Sequence, residues 1–243
     1  MYQPGRPRGS FMGGMLTPVV RVLLISMAAT YAAALFTLHW LERPELLTYG
    51  WLVPADVIER GWAWQLVTYM WLHDPGSPWH LLLNLFGLYM FGGFLERRWG
   101  GKAFLRYYLL TGLGAGLTVL VVGWFYYPLI PTIGCSGAVL GLATAFGLIY
   151  ADAPIFLFGV LPMRARTMLL LILAWVLLDW LMQTSNVSVA GHLGGMFWGW
   201  LLVSGWWRPS RWRAALAARR RRHDPTVVQF ERRDPERRGP WVN

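Results

Sequence analysis

Ser136 stands in the stretch Pro131 to Gly141 (PTIGCSGAVLG), a small-residue turn that runs straight into an apolar segment. No charged residue occurs between Tyr107 and Ala151, so this hydroxyl belongs to a part of the chain that must lie in lipid. A serine there is either a helix-packing group or a nucleophile. A nucleophilic serine needs a base to take its proton, and histidine is the usual one. His192 is the candidate: it precedes Gly195 and Gly199 at i, i+3 and i+7, which puts the imidazole on or beside a close-packing helix face. His80 and Asn84 lie four residues apart on one face of another helical segment. Both side chains can donate to a developing oxyanion, and the backbone N–H of Ser136 can add to them. The local pattern is not that of a soluble hydrolase, because position 138 is Ala where G-x-S-x-G would need Gly and no strand precedes the serine. Neither a carboxylate nor a third histidine joins the two histidines, so a zinc site is not expected.

The elements that must position these groups follow from composition. Of the 243 residues, 56% are hydrophobic and only 14% are charged, where a soluble domain carries about a quarter charged residues. That excludes an ordinary soluble globular class. The single cysteine, Cys135, excludes an intramolecular disulfide. The net charge of +10 is concentrated in an Arg-rich tail and carries no nucleic-acid motif, so no nucleic-acid partner is expected; contact with anionic lipid is. The first apolar stretch has no small-residue cleavage site clearly following it, so a cleavable signal peptide is not expected.

Six apolar segments emerge, at 18–40, 77–95, 104–126, 137–151, 167–182 and 190–207. The uncharged run from Tyr107 to Ala151 would extend about 65 Å as one helix, two membrane thicknesses, and Pro128 and Pro131 break it. Residues 41–74, rich in Trp and acidic groups, read as an external loop in the headgroup zone. Glu96 to Lys102 reads as a tight basic turn, 152–166 as a loop and 183–189 as a short polar loop. Basic residues collect at the N-terminus, at 96–106, at 164–166 and in the tail, which predicts a multi-pass protein with both termini cytoplasmic. The predicted organisation is a cytoplasmic arm over 1–17, a membrane domain over 18–207 and an Arg-rich cytoplasmic tail over 208–243. In that topology His80, Asn84, Ser136 and His192 share one depth near the outer face. Segment four is short, roughly 22 Å against a hydrocarbon core near 30 Å, so its serine begins below the outer surface. Gly137 and Gly141 repeat the glycine spacing of segment six; if the two faces meet, Ser136 and His192 come within hydrogen-bond reach.

These residues resemble the rhomboid family of intramembrane serine proteases. Gly134-Cys135-Ser136-Gly137 is similar to the family's GxSG nucleophile motif, and His192 in Ala-Gly-His-Leu-Gly-Gly to its catalytic histidine. His80-Leu-Leu-Leu-Asn84 is similar to its oxyanion HxxxN, and the approach from Trp64 to His73 and the Gly92-Gly-Phe-Leu-Glu96 stretch are also similar. Gln65 follows Trp64 where the family often has Arg. The resemblance implies an all-α, six-transmembrane-helix bundle in the cell membrane and a serine endopeptidase without cofactor. Its substrates would be transmembrane protein segments with helix-weakening sequences near the outer face. They would enter sideways past segment five, with water reaching Ser136 from outside.

The alternative is a non-catalytic rhomboid-like protein that binds client transmembrane helices; such relatives typically lack the Ser or the His, and here both are present. A transporter should show internal duplication, and none is evident. Of the acids near segments four to six, Asp152 lies at the wrong end and Asp179 is expected to be solvated at the interface, which predicts a Ser136–His192 dyad rather than a triad.

Overall fold

Helix formation begins where Pro18 can occupy a first-turn position and the chain turns continuously apolar, giving α1 (Pro18–His39). The computed structural model describes residues 16–157, 160–182 and 186–205. The arm over 1–17, except its last two residues, and the Arg-rich tail over 208–243 lie outside the described residues. The chain divides into a compact unit, Met1–Ser204, and a second, Gly205–Asn243, of which only Gly205 is described.

After α1 come the short helices α2 (Glu45–Thr48), α3 (Pro54–Glu59) and α4 (Gln65–Thr68), then a 3₁₀ turn, Tyr69–Trp71. The long helices follow: α5 (Pro78–Trp99), α6 (Gly101–Tyr126), α7 (Ser136–Ile149), α8 (Ala165–Leu181) and α9 (Asn186–Ser204). The strands β1 (Pro154–Leu157) and β2 (Leu161–Arg164) sit between α7 and α8. The described protein is predominantly helical. By length and hydropathy, α1 and α6 are each able to cross a bilayer. The apolar α7 has only 14 residues, about 21 Å of helix.

Three sequence expectations are refined. The tight turn expected over 96–102 narrows to a single residue: α5 continues to Trp99, α6 starts at Gly101, and Gly100 alone breaks the path with φ 80°. The 152–166 connection is not a plain loop but carries a short antiparallel hairpin in which Pro154 faces Arg164 and Ile155 faces Met163, a small strand pair within an otherwise helical, all-α type of fold. The 41–74 region is not all surface. Its second half enters the helix bundle: Gln65, Tyr69, Met70 and His73 are all buried. Polar atoms in this stretch find acceptors or donors in the bundle and in the region itself. Tyr69 donates its hydroxyl hydrogen to the Gly112 carbonyl at 2.7 Å, and Gln65 Oε1 accepts from the Val53 N–H at 3.0 Å. A bridge between Leu52 and Thr132 ties this region to the connection before α7.

The core is built around α7, whose residues from Gly137 to Val139 and from Gly141 to Gly147 are buried. It packs against α5, α6, α8 and α9, and α1 lies outside against α5. The junction of α1 and α5 is polar. The Glu96 carboxylate, 5% exposed, accepts from the Val19 and Val20 N–H groups at 3.0 and 2.9 Å and from the Thr17 hydroxyl. These are first-turn N–H groups with no partner inside α1, so an acid from another helix caps it. By contrast α8 is held lightly, with only Ala165, Met168 and Val176 buried and Leu170, Trp175 and Leu181 exposed.

Candidate active site

Ser136 is the first residue of α7, and the backbone on its N-terminal side is shaped to deliver it. Gly134 has φ 104°, a region that side chains disfavour, and its N–H donates to the Tyr69 carbonyl at 2.9 Å. A Cβ on Gly134 would also lie 2.6 Å from His80 Nε2, so the turn passes directly across that imidazole. Cys135 follows as the N-cap, fully buried.

His192 arrives on α9 by backbone-to-backbone packing. A Cβ on Gly199 would lie 2.7 Å from the Gly141 Cα, and one on Gly137 would lie 3.0 Å from the Gly191 carbonyl oxygen. The Tyr107 hydroxyl sits between the Gly199 and Gly141 carbonyls, at 2.8 and 3.0 Å, and stitches α6 to the same seam. Small residues permit this approach because only hydrogens separate the helices. The result is a 2.8 Å contact between His192 Nε2 and Ser136 Oγ. In this geometry the serine hydroxyl donates when Nε2 is the unprotonated nitrogen. Both residues are half-buried.

His80 and Asn84, one turn apart on α5, come to the same place. His80 is half-buried and Asn84 is 5% exposed. Asn84 donates one amide hydrogen to the His80 carbonyl at 2.8 Å, and Asn84 Nδ2 stands 3.8 Å from where a Gly134 Cβ would be. The Asp74 N–H points at His80 Nδ1 at 3.4 Å. The four residues singled out from sequence therefore surround one turn, with the serine and histidine in contact and the α5 pair facing the turn through Gly134.

The acids stand elsewhere or differently. Asp152, just beyond the opposite end of α7, pairs with Arg164 and Arg166, both at 3.3 Å. Asp179 on α8 is half-buried rather than fully solvated. Sequence reasoning gave no role to His73. It is buried, with Nε2 3.7 Å from the Cys135 sulfur and its ring 5.2 Å from the His80 ring. The available signal was a second histidine seven residues before His80, in a region otherwise read as surface.

The Rhomboid domain profile matches residues 60–208, more than half of the chain and all four site residues. The chain belongs to the rhomboid family. This rhomboid is similar to the putative rhomboid protease YdcA of Bacillus subtilis, 30% identical over 145 residues, covering 60% of this chain and 68% of YdcA. It is similar to the rhomboid protease GluP of Bacillus subtilis, 27% identical over 150 residues, which cover 61% of this chain and 27% of GluP. Rhomboid protein 1, mitochondrial, of Saccharomyces cerevisiae is 29% identical over 137 residues, 53% of this chain and 38% of the yeast protein. The chain thus spans less than two thirds of the length of the last two.

Proposed function

We propose that this rhomboid is an intramembrane serine endopeptidase that cleaves transmembrane segments of other proteins near the outer face of the cell membrane. The observation that carries the reading is the 2.8 Å contact between Ser136 Oγ and His192 Nε2. In the mechanism, His192 Nε2 removes the Ser136 proton as Oγ attacks the scissile carbonyl. The carbonyl oxygen becomes an oxyanion, and its donors are the Ser136 N–H, His80 Nε2–H and the second amide hydrogen of Asn84. The start of α7 adds the positive end of a helix, whose first-turn N–H groups have no intrahelical partner. The imidazolium then gives its proton to the leaving amine. Water, deprotonated by the same nitrogen, releases the acyl group and restores Ser136. No cofactor enters.

The membrane arrangement is part of the proposal: six spans formed by α1, α5, α6, α7, α8 and α9, both termini cytoplasmic, and a membrane domain over 18–207 flanked by the arm and the Arg-rich tail. The short α7 supports it, since its N-terminus must lie below the outer surface, where irregular backbone is tolerated only inside protein or beside a wet cavity. The lightly held α8 is the side on which a substrate helix would enter, leaving the better-packed α6 and α9 in place. The test is incubation of the purified protein with a generic transmembrane substrate, wild type beside Ser136→Ala. Cleavage by the wild type alone supports the reading, and normal turnover by Ser136→Ala overturns it.

A further inference from the structure

The loop between the 3₁₀ turn and α5 brings a third histidine to the site, in a setting that the mechanism above does not use. His73 is 1% exposed, yet it is a polar ring in an apolar surrounding. Its Nδ1 faces the Trp71 carbonyl at 3.4 Å, an acceptor only, so Nδ1 carries the proton. Nε2 is then the lone-pair nitrogen, and it faces the Cys135 sulfur at 3.7 Å. The same sulfur stands 3.7 Å from Met27 Sδ, but an imidazole lone pair is the stronger acceptor for the S–H. The other side of the His73 ring packs against His80, centroids 5.2 Å apart and tilted by 60°. His73 is thus a bridge between the N-cap of the helix that carries Ser136 and the imidazole that faces Gly134.

The adjacent residue completes the arrangement. The Asp74 N–H points at His80 Nδ1, which makes Nδ1 the acceptor and leaves the proton on Nε2. Nε2 is the nitrogen that faces the Gly134 turn. The backbone that delivers this N–H is anchored by the buried His73 ring, one residue away. Burial and the neighbouring His80 push the His73 pKa down to about 4, so the ring is neutral at neutral pH and brings no charge to the site.

We propose that His73 is a positioning residue for His80: tied to the Cys135 thiol, it holds the His80 imidazole in the Nε2–H tautomer, aimed at the Ser136 turn. The proposal rests on the reading of Ser136 as nucleophile and His80 as oxyanion donor.

The experiment uses the full chain in detergent micelles. His73→Phe keeps a ring against His80 but removes both nitrogens; Cys135→Ala cuts the bridge from its other end and serves where His73→Phe does not fold. The first readout is the ¹⁵N spectrum of histidine-labelled protein. His80 should show the Nε2–H tautomer in the wild type and a mixture of tautomers in either variant. The second readout is kinetic. His73→Phe should lower kcat about tenfold with KM unchanged, a part of the loss expected for a missing oxyanion donor. It should add no further loss in a His80→Ala background, because its effect passes through His80. An unchanged His80 tautomer in both variants, or the same loss of kcat with and without His80, would overturn the proposal. Turnover by Ser136→Ala would instead sink the protease reading, and the tautomer measurement would still decide whether His73 sets His80.

Discussion

The Gly137 carbonyl occupies the space in which a side chain at Gly195 would begin. Gly137 is the neighbour of Ser136, and Gly195 is three residues after His192, so one backbone contact sets the distance between the proposed nucleophile and the proposed base. Gly195→Ala should push α9 away from α7 and lengthen the Ser136–His192 contact. A 1 Å misplacement costs on the order of 10²-fold in rate. Purified Gly195→Ala should therefore remain helical by circular dichroism while losing most cleavage. Full activity in this variant would show that the seam does not set the site.

Ser136→Ala and His192→Ala should each abolish cleavage and labelling by serine-directed electrophiles while leaving the protein folded. In a soluble serine protease either loss costs about 10⁶ in kcat. Gel-based cleavage of a transmembrane substrate, with a fluorescent electrophile in parallel, reads both effects.

His80→Ala and Asn84→Ala should lower kcat more than they raise KM, since the oxyanion exists only along the reaction path. The ceiling is about 10²–10³-fold per donor. Asn84 has one amide hydrogen on the His80 carbonyl, and the Ser136 N–H shares the role, so losses below that ceiling are expected. Wild-type rates in both variants would remove them from the mechanism.

Glu96→Gln should destabilise the fold without touching the chemistry. The carboxylate accepts from Thr17, Val19 and Val20 at once, and an amide places a donor where an acceptor is needed. Leaving one such buried N–H unpaired costs about 1–3 kcal/mol. Thermal unfolding in detergent should show a lower Tm for this variant, with electrophile labelling of Ser136 retained at lower temperature. An unchanged Tm would mean that water replaces the carboxylate.

Asp179→Asn should keep most of the activity. Losing a true orienting acid costs about 10⁴ in kcat in the soluble case. Asp179 lies on the lightly held α8, an element poorly suited to fix an imidazole on α9. A loss of that size in folded Asp179→Asn would replace the dyad with a triad.

Much of the site was legible in the sequence because membrane chemistry narrows the alternatives. An uncharged run from Tyr107 to Ala151 reads as apolar helices and their break, and a serine inside it is conspicuous. Glycines four apart declare a face through which a helix packs. They do not declare the partner, because periodicity is a property of one helix and contact is a property of two. Only the tertiary structure joined Gly195 to Gly137 and so brought His192 to 2.8 Å from Ser136. The 41–74 region shows the opposite case. Its charged and aromatic residues read as surface, and the local sequence holds no sign that Tyr69 and His73 are buried. Their burial is possible because carbonyls and a thiol from distant elements, Gly112 and Cys135, satisfy their polar atoms. A polar side chain is surface or core according to whether the fold supplies a partner, and that partner lies outside the reach of any local pattern.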